Sequence, residues 1–423
     1  MALRDDPRRR VAHLLRRAGF GGTPAEIDDY TQLGFEGALD KLLTPAPVDA
    51  GVADALKGML DDPDVKLPAL QSTWVGQMVT APSPLQEKMT LFLHGLLTSG
   101  APKVREHGML WRQNELFRQY AFGNYRDLLK AVGRDPAMLV WLDGANSHKA
   151  HPNENYAREL MELFSLGIGN YTEQDVQEAA RAFTGWTIDR LTGEAVFNRR
   201  QFDPGPKTIF GQTGTFDDHD VVDLITKQDA APGFLAGKLL RFFVTDTPDQ
   251  SLVDRFAGVI RRNDFELKPI LRELFLADEF SADGAYRAKI KSPTEFAAGL
   301  LKHLGVARPG DGLSGLMHRM GQDLFAPPNV AGWPGGKSWI STSTLFARFN
   351  AARGVIARAN LQPLAGGSAA EAADRLLYHF LDGDGTARLR AAVTDWLTAK
   401  GTGPAGLKGA VHLVVGSPTY QLN

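Results

Sequence analysis

The chain contains no cysteine, which removes disulfide bridges, thiolate-bound metals and cysteine nucleophiles at once. It also lacks any run of about 20 apolar residues, the length a helix needs to cross a bilayer, so no membrane span is expected. A charge excess is missing too. Its 47 Lys and Arg stand against 49 Asp and Glu, a formal net charge of -2, and nucleic-acid binding, which rests on a basic face, is not expected. No apolar stretch of signal-peptide type follows the first arginines, so the chain as written reads as cytoplasmic. Strand text is scarce. Its best pieces are Ala195-Val196-Phe197 and Thr208-Ile209-Phe210.

Helical periodicity fills nearly every other segment, with turns marked by Gly and Pro. With 43% hydrophobic residues over 423 positions, the chain can bury a sizeable core. The expected fold is mainly α: a multi-helical body with a small β-hairpin near 190–215 and a duplicated three-helix unit in the C-terminal half. Residues 1–230 form the N-terminal and central body in this reading. Residues 231–423 carry the duplicated units, at about 233–280 and 370–420, packed as one body with the first. The duplication is read from Lys238-Leu239-Leu240-Arg241-Phe242-Phe243-Val244 against Arg375-Leu376-Leu377-Tyr378-His379-Phe380-Leu381. It continues with Leu271 against Val411, Leu274 against Val414 and Phe280 against Tyr420, all on one helical face. Residues 44–68, rich in Pro, Asp and Ala, are expected to form a surface excursion. The one basic cluster, Arg8, Arg9, Arg10, Arg16 and Arg17, shares a helix with Val11, Leu14 and Leu15. It reads as helix solvation or subunit contact.

The stretch from Pro152 to Trp186 organises the rest. Its first helix carries Tyr156, Leu160, Leu163 and Phe164 on one stripe and ends at Gly167 and Gly169, residues suited to a left-handed cap. Thr172 with Asp175 three positions on is close to a capping box for the second helix. Opposite the apolar stripe, Glu154, Asn155, Arg158, Glu159 and Glu162 form a continuous polar arc. Two readings are open. The arc is a solvated face laced by Glu154–Arg158 and Arg158–Glu162 pairs, or its carboxylates, Asn and Arg converge on a pocket.

Three other places carry chemistry. His94 is a lone imidazole on a mostly apolar helix, a pattern that fits a hydrogen-bonded core residue as well as a ligand. The Pro/Gly-dense run from Phe325 to Trp339 must be a rigid loop, and its Asn329, Trp333 and Trp339 either stack on a flat substrate face or plug a helical junction. Lys207 follows Gly205-Pro206 but lacks the Gly-Lys-Ser/Thr run into a helix, so no nucleotide site is expected there.

These stretches carry a resemblance. ENYAREL, ELFSLG and NYTEQDVQEAARAFTGW at the centre, HLLRRAGFG at 13–21, MTLFLH at 89–94, DPAMLVWLD at 135–143, GPKTIFG at 205–211 and FAPPNVAGWPGGKSWI at 325–340 closely resemble the bacterial family catalogued as domain of unknown function number eighteen hundred. The resemblance covers nearly the whole chain. It implies a family whose members are often exported and whose genes often neighbour a sulfatase- or phosphatase-like enzyme, a pathway partner. It also implies a functional His at His94, with further family histidines where this chain has Leu96 and Phe202.

The functional expectation is a helical enzyme acting on an anionic or sugar-like substrate. Glu159 or Glu162 would be the acid/base, Arg158 would orient an anionic group and Asn155 would complete the catalytic set. Asn329, Trp333, Trp339 and Lys207 would bind substrate. A metal-assisted version places a divalent cation on His94, Glu159, Glu162 and Asp175, with imidazole and carboxylate as the available ligands. The alternative is a non-catalytic binding or assembly protein in which the Glu/Arg/Asn cluster is a buried structural network.

Overall fold

Caps written into the sequence set where the helices begin. Asp6 accepts from the Arg9 N–H ahead of Pro7, and capping boxes close on Thr23/Glu26, Thr172/Asp175, Asp217/Asp220, Ser292/Glu295 and Ser368/Glu371. In this computed structural model the described residues are 3–46, 58–59, 62, 64–307, 309–310 and 312–423. The excursion read over 44–68 falls mostly outside them.

In chain order the helices are α1 (Pro7–Arg17), α2 (Pro24–Gln32), α3 (Gly34–Leu42), α4 (Leu67–Thr80), α5 (Pro84–Leu96), α6 (His107–Gln119), α7 (Tyr125–Val132), α8 (Pro136–Trp141) and α9 (Asn155–Glu159). A π-helix, Leu160–Ser165, continues α9, and α10 (Glu173–Ala182) follows. Then come α11 (Asp218–Thr226), α12 (Ala230–Phe243), α13 (Gln250–Arg262), α14 (Leu267–Leu276), α15 (Pro293–His303), α16 (Leu313–Met320) and α17 (Thr342–Ile356). The last three are α18 (Ala369–Leu381), α19 (Ala387–Lys400) and α20 (Pro404–Gly416). The fold is mainly α. Among the described residues no helix is long and apolar enough to cross a membrane.

The strand text forms two antiparallel hairpins, each closed on its own neighbour. β1 (Trp186–Ile188) pairs with β2 (Ala195–Phe197), and β3 (Lys207–Ile209) with β4 (Gln212–Gly214). Phe210, at the end of the second strand piece, is instead a turn residue with φ 48°.

Buried apolar side chains form two clusters. One draws on α1 to α3, α5, α7 and the chain from Met138 to Phe280. The other draws on Phe20, α4, residues 101–111 and the chain from Phe296 to Tyr420. Trp141 and Phe242 pack against both and join them. The triplet α12–α14 lies in the first cluster and α18–α20 in the second. Each triplet ends in a short turn that buries an aromatic, Phe280 N–H to Ala277 O at 3.1 Å and Tyr420 N–H to Ser417 O at 3.2 Å.

The arginines of α1 turn inward, against the expectation of solvation or subunit contact. Arg16 and Arg17 are 5% and 2% exposed. Arg16 pairs with Asp382, and Arg17 donates to the Ala285 carbonyl at 2.5 Å. Arg8, Arg9 and Arg10 lie over the rings of Tyr378, Tyr286 and Phe35 of the same chain. The partners come from distant sequence, so a helix wheel does not reveal them.

Candidate functional site

The polar arc of α9 is a surface ion network. Arg158 makes a two-pronged contact with Glu173, Nη1 to Oε1 and Nη2 to Oε2 at 2.7 Å each, and Nη2 also reaches Glu154 Oε2 at 3.1 Å. The side chains of Glu154, Arg158 and Glu173 are 39%, 33% and 69% exposed, which rules out a buried structural network. It also removes Arg158 as the holder of an anionic substrate, because its guanidinium is already occupied by carboxylates. Glu154, Glu159, Glu162 and Glu173 surround this one arginine, so the face repels anions.

The π-helix adds one residue to the turn: the Leu166 N–H bonds the Met161 carbonyl five residues back, at 2.8 Å. Glu162 accepts from the Tyr171 hydroxyl at 2.5 Å rather than pairing with Arg158. Glu159 is half-buried, and its side chain forms no hydrogen bond or ion pair among the described residues. Burial, then the charge of Glu162, raise its proton affinity above the ordinary glutamate value against the pull of Arg158. Asn155 donates to Asp143 at 3.3 Å on the exposed side.

The other predicted residues are held elsewhere. His94 is buried, and its Nε2 accepts from the Phe325 N–H at 3.0 Å. Its ring packs against Trp74, Phe325 and Trp333, and burial drives its pKa down to about 3, so it is a neutral anchor for the 325–339 loop. Asp175 spends one oxygen on the Thr172 cap and the other on the Phe210 N–H at 2.7 Å. Among the described residues no three His, Asp or Glu side chains gather where a metal ion could be held. The set His94, Glu159, Glu162 and Asp175 is therefore not one ligand sphere.

Lys207 is buried and donates to the Asp203 and Gly205 carbonyls at 2.7 and 3.0 Å, pinning its own loop rather than facing a substrate. Asn329 accepts from the Ala331 N–H at 2.9 Å in a tight turn. Trp339 is buried and Trp333 half-buried against His94. The loop sits tightly on the end of α5. Thr98 donates to the Val330 carbonyl at 2.6 Å, and a Cβ at Gly332 would lie 2.4 Å from the Gly95 carbonyl oxygen.

A groove that sequence reasoning missed runs between α12 and α13, beside the turn that leaves the π-helix. Its volume is about 630 Å³, within the range of small-molecule sites. Lys238 and Arg241 line it three positions apart on α12, with Asn170, Phe234, Gln250 and Arg261 among the other walls. Among the described residues no carboxylate pairs with Lys238 or Arg241. Lys238 sits over the Phe234 ring at 5.1 Å, and burial, then Arg241, lower its proton affinity. Asp229 and Asp254 also line the groove; Arg261 is 3.7 Å from Asp229, and Gln250 donates to Asp254 at 2.8 Å. The spacing of Lys238 and Arg241 within the KLLRFF run was the available signal.

No curated protein and no solved structure matches the chain. The family model described as protein of unknown function (DUF1800) matches residues 13–422, and the chain belongs to that family.

Proposed function

We propose that the protein binds a small polyhydroxylated anion, an acidic sugar or sugar ester, in the groove between α12 and α13. The observation that carries this reading is the pair Lys238 and Arg241, two cations with no carboxylate partner among the described residues, on the wall of a roughly 630 Å³ groove. Their charges would meet the acidic group. Asn170, Gln250, Asp229 and Asp254 offer hydrogen bonds to hydroxyls. The sulfatase- or phosphatase-like pathway partner implied by the family resemblance would work on anions of this class. Calorimetric titration with acidic monosaccharides and their neutral parents is the test. Binding should favour the acidic forms and weaken about 10–100-fold in Lys238→Met/Arg241→Met, the range for lost charged hydrogen bonds. Equal affinity for neutral and acidic sugars, or for wild type and variant, would rule this reading out.

A further inference from the structure

The meeting point of α1, residues 285–291 and the end of α18 encloses a smaller cavity. Arg16, Phe20, Arg287, Lys291, His303 and Asp382 are among its walls. Counted at the centre of a water-sized sphere, its volume is about 10 Å³, room for one water or one monatomic ion.

The donors around it are cationic and under-used. Arg16 is 5% exposed; its Nη1 bonds Asp382, while Nε and Nη2 are buried with no hydrogen-bond partner among the described residues. Lys291 is also 5% exposed, and its ammonium lies 4.0 Å from the centre of the Tyr420 ring. That ammonium makes no hydrogen bond among the described residues. Arg287 donates to the Leu381 and Thr419 carbonyls at 2.7 and 3.2 Å, and lies 3.4 Å from Asp382 and 3.1 Å from Asp384.

Three buried cations, Arg16, Arg287 and Lys291, thus meet Asp382 and Asp384, and Asp384 is also 3.3 Å from Arg9, so these carboxylates do not balance the cations. His303 adds no charge, since burial and then His379 and Lys291 hold it neutral, with Nδ1 3.0 Å from the Tyr420 hydroxyl. A buried charge without a counter-charge is strongly unfavourable. Water would satisfy the N–H groups but carry no charge. A spherical, acceptor-only anion would accept from them and supply the counter-charge.

We propose that this cavity binds a single monovalent halide, chloride or bromide, between Arg16, Arg287 and Lys291. The site lies away from the α12–α13 groove and does not depend on what that groove binds.

The test uses the full chain, freed of halide by dialysis. Crystals grown in sodium bromide and measured at the bromine edge should show an anomalous peak in the cavity. Thermal unfolding at constant ionic strength should rise by about 3 °C or more with chloride at a hundred times its dissociation constant, and not with gluconate. Lys291→Met should lose that chloride-dependent rise while its midpoint in gluconate stays measurable. Cavity density without anomalous signal in bromide would mean a water beside a neutral Lys291 and would overturn the proposal. So would a chloride response that Lys291→Met retains in full.

Discussion

Glu295→Ala is expected to lower the unfolding free energy by about 3–5 kcal/mol, the range for stranding a buried charge. Lys88 is 1% exposed, and its ammonium bonds the Glu295 carboxylate and the Gly19 carbonyl, the latter at 3.0 Å. Without Glu295, one neutral carbonyl is left to hold that charge. The same carboxylate accepts from the Ser292 N–H at 2.7 Å and closes the cap of α15. Glu295→Gln keeps a cap acceptor and should recover about 1 kcal/mol of the loss. Lys88→Met/Glu295→Ala should recover more, because no buried charge remains. Urea denaturation of the three variants decides the matter; equal losses in the single Ala and double variants would show that the charge pair is not the cause. Burial pushes the Glu295 carboxyl up, but Lys88 overcomes it and the folded pKa lies below the ordinary glutamate value. Its contribution is therefore complete above about pH 5 and is lost as pH falls through the folded value.

Asp135 has the opposite sign. It is 6% exposed, and burial pushes it up to about 7 despite hydrogen bonds from the Met138 N–H and the Gln113 amide. Between about pH 4 and pH 7 the folded chain keeps a proton that the unfolded chain has released. Stability should fall as pH rises through that window, by up to about 1.4 kcal/mol per unit, and level off above it. Both hydrogen bonds end on one oxygen, Oδ1, so Asn at this position can accept them. Asp135→Asn should flatten the slope between pH 5 and pH 7 while folding normally. An unchanged slope in the variant would assign the pH dependence to other groups.

Local features of the fold were legible because their causes are local. The Thr172/Asp175 cap and the left-handed Gly167 and Gly169, at φ 83° and 87°, stand where the residue types place them. The position of the strand text was readable for the same reason, although its split into two hairpins was not. The candidate site was less legible. Spacing pointed to Glu154 as a partner for Arg158, and that contact exists, but the stronger partner is Glu173 on the next helix. No periodicity announces the π-helix, since the apolar stripe runs through Leu160 and Phe164 unbroken. His94 and Asp175 are chemically fit to bind metal, yet each is committed to a backbone N–H that appears only once the chain has folded. The burial of Arg16 and Arg17 had no sequence signal, because arginines beside leucines also describe an ordinary surface helix.

The Arg16–Asp382 pair spans 366 positions, and that span has a meaning for synthesis. A ribosome adding about 5–20 residues per second needs roughly 20–70 s to travel from one partner to the other. During that interval α1 can pack its leucines on α2 and α3, which are already made. The Arg16 guanidinium has no Asp382 to pair with until the end of α18 emerges. The helix made first is therefore among the last to be locked, and a nascent chain stalled before residue 382 carries it half-docked.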